Sequence, residues 1–213
     1  MKRAPFVILA FVATAVGFPA VLLAQGPTFD CAKAQGEVET LICGDASLAA
    51  LDRKLDGVYK AASAKATGAL ATRLREDQRG WISGRNDCWK AKTQTWITAT
   101  WTVDTVKGCV EAQYRLRTSE LQAVWRLVPP KTVSHACQNN PANEVVASFF
   151  ETDPATIRLE RGDRTATLWR VGAAGEGKYE GQNVSLVHKG DALTVSWLDT
   201  NTGKTDELQC QAR

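Results

Sequence analysis

The chain has 213 residues, with 26 Lys+Arg against 23 Asp+Glu and a formal net charge of +3. That length admits two small domains. The basic residues of the first half are interleaved with acids and form no stripe, so no nucleic-acid partner is expected.

The chain opens with Lys2 and Arg3 and an apolar run from Pro5 to Ala24, broken only by Thr14, Gly and Pro. This reads as a secretory signal over residues 1–24, with the cut after Ala24. Leu22 is a poor residue for position −3 relative to that cut, and an uncleaved membrane anchor is the alternative, since a span needs about 20 apolar residues. No Cys lies near the cut, so no lipid anchor is expected.

Six Cys follow: Cys31, Cys43, Cys88, Cys109, Cys137 and Cys210. An even number behind a signal implies disulfides and an oxidising compartment, periplasmic or secreted. With no C-x-x-C and only His135 and His188, no zinc site is expected, nor any other cofactor. The charge is divided: residues 25–131 carry 16 basic and 12 acidic side chains (+4), and residues 132–213 carry 8 and 11 (−3). An acidic C-terminal half favours encounter with a basic partner, although ordinary surface chemistry explains so small an imbalance equally well.

Residues 28–127 have a helical period. Glu37 to Ile42 predicts a short helix ending near Gly44, and Asp45 can cap the next one. Leu48, Leu51, Leu55, Val58 and Ala62 then make one apolar face. A turn at Ala66 to Gly68 leads to a third helix, about Ala69 to Trp89, with Leu74, Gln78, Trp81 and Ile82 in step. A fourth starts near Thr105 and carries Val110, Tyr114, Leu116, Leu121 and Val124. A short turn makes helices two and three antiparallel, which brings Cys31, Cys43, Cys88 and Cys109 to one end of a bundle. Three pairings of these four remain open. Between the last two helices lie Trp89, Trp96 and Trp101. Exposed, they would form a binding patch; burial is the expectation, because Trp is more often core than platform.

Pro129-Pro130 stop the helix and stiffen a linker over residues 128–133. After it the period becomes two. Seven strands are predicted: 144–151, 155–160, 165–172, 178–180, 184–188, 193–198 and 206–211, with turns at Arg161-Gly162-Asp163 and Asn201-Thr202-Gly203. Short, regular strands indicate a small antiparallel barrel or sandwich over 134–213. Cys137 precedes the first predicted strand and Cys210 sits in the last. A bridge between them closes a long loop and stabilises by roughly 4 kcal/mol on the chain-entropy model. The fold class is thus α+β multidomain: a disulfide-stapled helical bundle followed by a small β-barrel.

One stretch organises the β half, W-R-V-G-A-A-G-E-G-K-Y-E-G-Q-N-V-S-L-V-H-K-G-D from Trp169 to Asp191. A strand runs into a glycine-rich loop, in which Gly175 and Gly177 permit φ > 0. Lys178 and Tyr179 end the loop, and a second segment turns at Lys189-Gly190-Asp191. Both turns should share one rim, because one extended segment returns from each. Mobile loops that present Lys178 and Lys189 suit something that enters a cleft.

Two resemblances sharpen this. F-D-C-A-K-A, V-E-T-L-I-C-G-D-A-S-L-A-A-L-D-R-K-L, W-I-S-G-R-N-D-C-W and C-V-E-A-Q-Y-R-L-R resemble the N-terminal domain of the LprI-type lysozyme inhibitors over Phe29 to about Leu121. All four Cys fit, with Glu39, Leu51, Asp52 and Trp81, but no inhibitory residue carries over. Cys137, Cys210, V-V-A-S-F-F-E, A-T-I-R-L-E, the loop ending G-K-Y, Lys189-Gly190-Asp191-Ala192 and L-T-V-S-W resemble the MliC family of c-type lysozyme inhibitors. That resemblance implies an eight-stranded barrel with two loops entering the lysozyme cleft. In the family, a serine in S-G-x-[RK]-Y and a lysine in a K-G turn bond the catalytic acids. The lysine corresponds to Lys189, followed by Gly190. The serine position falls at Gly175, with Glu176 where glycine is usual. The hydroxyl is gone, and a carboxylate near the lysozyme acids repels them unless it faces a basic group. Tyr179 is expected to shape the loop. Lys178 can be either solvated or in contact.

No G-x-S-x-G occurs, and the two His fall in different contexts, so no enzyme is expected. The reading is a lysozyme inhibitor whose partner is c-type lysozyme, with cleft occlusion by Lys189 and the 173–178 loop. A non-inhibitory, envelope-associated structural or interaction protein is the alternative. A small-molecule carrier would need an internal cavity, and a barrel this small is usually filled by side chains.

Overall fold

The computed structural model describes residues 25–92, 96–97, 102–172 and 175–213. The expected signal, Trp101, the side chain of Trp96 and the loop tip at 173–174 lie outside the described residues.

Four helices form the N-terminal half: α1 (Gly36–Gly44), α2 (Ala46–Lys65), α3 (Gly68–Asn86) and α4 (Val106–Val124). Asp45 caps α2 as its sequence position predicts, accepting from the backbone N–H of Ser47 at 2.9 Å and Leu48 at 3.1 Å. Lys107 Nζ, 2.6 Å away, ties this cap to the start of α4. The Lys107 bond, then the Ser47 hydroxyl, hold the Asp45 carboxyl well below the usual range. Leu48, Leu55 and Ala62 lie buried on one face of α2 against Val110, Tyr114 and Leu121 of α4. Burying each leucine contributes roughly 2 kcal/mol.

The third helix stops earlier than its periodicity suggests. It passes at Asp87 into a 3₁₀ segment, Asp87–Lys92, which turns Cys88 inward to meet Cys109. Cys31 pairs with Cys43. Two expected core residues are corrected: Ile82 is 38% exposed and Trp89 is 51% exposed, with Lys90 over its ring at 5.7 Å. The 3₁₀ turn commits the inward position to Cys88 and swings Trp89 out. A two-residue hairpin, β1 (Trp96–Ile97) and β2 (Thr102–Val103), precedes α4.

The motif residues of the helical half build a buried polar network. Tyr114 OH donates to Asp52 Oδ1 and accepts from Arg85 Nη1, both at 2.8 Å. Thr28 gives its N–H and hydroxyl to Asp52 Oδ2 at 2.7 and 2.6 Å. Arg85, 4% exposed, lies 5.6 Å from the ring centres of both Trp81 and Tyr114, and Glu39 Oε1 is 3.7 Å from Nη2. Burial pushes the Tyr114 hydroxyl up, so it stays a donor at all ordinary pH. A buried guanidinium holds only when its partners are all in place, and here Glu39, Trp81 and, through Tyr114, Asp52 supply them.

The second half is a closed, wholly antiparallel barrel in the order β10-β3-β4-β5-β6-β7-β8-β9. Its strands are β3 (Lys131–Cys137), β4 (Asn140–Phe150), β5 (Thr156–Arg161), β6 (Arg164–Arg170), β7 (Lys178–Gly181), β8 (Val184–Lys189), β9 (Ala192–Asp199) and β10 (Lys204–Ala212). Seven match the prediction. The eighth, β3, was not predicted and begins inside the stretch read as linker, so Cys137 ends the first strand instead of preceding it. Cys137 is the register partner of Cys210, and the two are bonded. Ile157, Leu159, Leu168, Leu193 and Val195 fill the interior at 0% exposure.

Helix α4 is shared by both halves. Arg115 Nη1 meets Asp153 Oδ2 at 2.6 Å, Ser119 Oγ accepts from Trp169 Nε1 at 2.9 Å, and Arg126 reaches Glu160 at 3.7 Å. The helix therefore runs alongside β5 in the same direction. This explains why polar Arg117, Thr118 and Ser119 are buried on it.

Candidate functional site

The β6–β7 loop and the β8–β9 turn lie at the same barrel end, as the returning strands require. They are joined through the backbone. His188 N–H donates to Gly177 O at 2.8 Å. Gly177 has φ +67, and a Cβ there would sit 2.1 Å from His188 O. No other residue permits both that conformation and that approach. The loop is fastened at its base by Val171 N–H to Lys178 O at 2.9 Å.

Lys189 is the last residue of β8 and is exposed; Gly190, at φ +62, turns the chain into β9. Among the described residues, Lys189 makes no ion pair. Glu176 behaves differently. Its Oε2 lies 3.1 Å from Lys178 Nζ and is folded over Gly172, where a Cβ would be 2.7 Å away. Lys178 and Glu176 thus neutralise one another within the loop. Gly175 has φ +96 with open space around it, so a serine there would fit sterically but be strained in backbone. Tyr179 is half-buried against the barrel core, and burial raises its hydroxyl pKa.

Of the residues singled out in the sequence, Gly175, Glu176, Tyr179, Lys189 and Gly190 line one groove of about 630 Å³, together with Arg170, Gly177, Val187 and His188. Lys178 stands beside it, paired to Glu176. A neighbouring cavity of about 550 Å³ at the barrel mouth is lined by His135, Phe149, Tyr179 and His188. The two His, which seemed unrelated in sequence, share this mouth. The His188 ring lies against Phe149, 4.9 Å between centres and tilted by 45°. His135 is 1% exposed, its Nδ1 has no partner, and burial lowers its pKa. Sequence reasoning missed His135 because the strand that buries it was not predicted. Among the described residues, no group of three or more His, Cys, Asp or Glu is placed to hold a metal, and no helix is long and apolar enough to cross a membrane.

Comparison with curated proteins and with solved structures finds no significant match. Comparison with protein families finds two. Residues 31–121 match the family described as Lysozyme inhibitor LprI, and residues 135–203 match Membrane-bound lysozyme-inhibitor of c-type lysozyme. The first match contains both helical disulfides and the Arg85 network apart from Thr28; the second contains the loop, the turn and Lys189. The chain is a fusion of an LprI-type domain with an MliC-type domain.

Proposed function

We propose that the protein inhibits c-type lysozyme by occluding its active-site cleft with the barrel rim. The plug is the 173–178 loop and the Lys189-Gly190 turn, joined by the Gly177–His188 backbone contact. The observation that carries this reading is the pairing of Glu176 with Lys178. It offsets the repulsion that a carboxylate would bring to the lysozyme acids, and leaves Lys189, with Arg170 on the same groove, to bond them. An ammonium beside a carboxylate in a closed cleft is a strong, specific contact. The missing serine is a lost hydrogen bond, which weakens the plug without abolishing it. The three disulfides support a periplasmic or secreted location. Exposed Trp89 favours a second reading, in which the helical half contacts the envelope.

The test is lysis of a cell-wall suspension by a c-type lysozyme, followed by turbidity, with titrated protein and a variant lacking residues 132–213. Inhibition by the first and none by the second supports the plug. No inhibition by folded protein at micromolar concentration overturns it.

A further inference from the structure

Away from the rim, the two halves enclose a groove of about 360 Å³ between α3, α4, β5 and β6. That volume is in the range of small-ligand sites. Its walls are of two kinds. One is apolar: Leu70 and Val124 face the groove at 59% and 41% exposure, beside Trp125. Leu70 and Val124 are two of the few large hydrophobic side chains exposed among the described residues, and they converge here. The other wall is cationic. Arg117 is 7% exposed and gives Nε to Gln78 at 3.0 Å and Nη1 to Glu120 at 2.9 Å. Its Nη2 has no acceptor and is closed off from solvent, so an anion in the groove reaches it only when a neighbouring side chain moves aside. Arg158 gives Nη1 to Thr167 at 2.8 Å, and burial lowers its pKa.

A buried guanidinium nitrogen without an acceptor costs roughly what a lost charged hydrogen bond costs, and native structures rarely leave one so. Here a second desolvated guanidinium lines the same groove, and Glu120 is the acid that pairs with the first. Arg73, on the same groove, is engaged with Asp77 only at 3.8 Å. Three guanidinium groups against two carboxylates leave one positive charge in excess. A guanidinium pair of this kind is suited to an oxyanion, which can accept from both.

We propose that this interdomain groove binds a small amphipathic anion: a carboxylate or phosphate monoester seated on Arg117 and Arg158, carried on an apolar body that covers Leu70 and Val124. The site is independent of the lysozyme reading. It belongs to neither domain alone, since α4 supplies Arg117 and β5 supplies Arg158.

The experiment titrates the ¹⁵N-labelled two-domain protein at low salt with octanoate, octyl phosphate, 1-octanol and inorganic phosphate, and follows amide shifts. Octanoate or octyl phosphate should bind with a dissociation constant below about 1 mM. The shifts should cluster in 70–77, 117–125 and 158–167, and octanol should bind at least tenfold more weakly. Arg117→Met risks misfolding because it strands Gln78 and Glu120. Arg158→Met and the exposed Leu70→Asp avoid that risk, and each should weaken binding at least tenfold with the fold intact. Whichever octyl anion binds identifies the head group. The proposal is overturned if octanol binds as well as both anions, if inorganic phosphate binds as well as octyl phosphate and Leu70→Asp changes nothing, or if no shifts appear at 10 mM.

Discussion

Lys189→Ala is the sharpest perturbation of the proposed plug. The side chain is exposed, makes no ion pair among the described residues and sits where Gly190 sets the turn, so its removal leaves the β8–β9 register to the backbone. The fold should not respond. The complex should, because truncating one member of a desolvated charge pair strands the other and costs about 2–5 kcal/mol. At 1.4 kcal/mol per decade this is a rise in inhibition constant of about 30-fold or more. The assay is inhibition of cell-wall lysis at several protein concentrations, with a thermal melt of each variant alongside. An inhibition constant within threefold of the parent, with an unchanged melt, would refute the assignment of Lys189 to the cleft.

Other outcomes follow from the same geometry. Gly177→Ala forces a Cβ onto His188 O and should destabilise the barrel by about 2 kcal/mol, lowering its melting temperature by about 8 °C or more and loosening the plug. Lys178→Ala removes the cation beside Glu176 and should weaken inhibition about fivefold, whereas the double variant with Glu176→Gln should recover it; equal inhibition by single and double variants would remove the neutralisation argument. Tyr114→Phe leaves Asp52 and Arg85 each short of a partner and should cost about 1–3 kcal/mol in denaturant unfolding. His135 has a folded pKa below its unfolded value, so the unfolded chain binds its proton first and stability falls as pH drops through about 6.5 towards the folded pKa. Melts at successive pH values should show that decline, and His135→Leu should flatten it.

The helices were legible because α1 to α3 each bury one stripe, and Asp45 announced its own cap. Helix α4 was only half legible. A single apolar stripe predicts one partner, but α4 has the bundle on one side and the barrel on the other, so Arg117, Thr118 and Ser119 are buried without any apolar signal. The pairing of Cys31 with Cys43 and Cys88 with Cys109 depends on a 3₁₀ turn that periodicity does not encode, and the same turn exposes Trp89. Strand β3 hid behind Pro129-Pro130 because only its last residues alternate in burial. The loop and turn of the rim were visible as glycine-rich sequence and family motif. What binds them together was not, because the clash that forbids a side chain at Gly177 comes from a backbone carbonyl eleven residues away.

Helix α4 also restricts how anything can reach the rim. Arg115 meets Asp153 at the plug end of the barrel, so the nine residues of α4 before Arg115, Val106 to Tyr114, continue beyond that level for about 13 Å. The Cys88–Cys109 staple and its neighbours therefore stand as a parapet along one side of the loops. A macromolecule that docks on Lys189 as proposed has the helical half along that side of it.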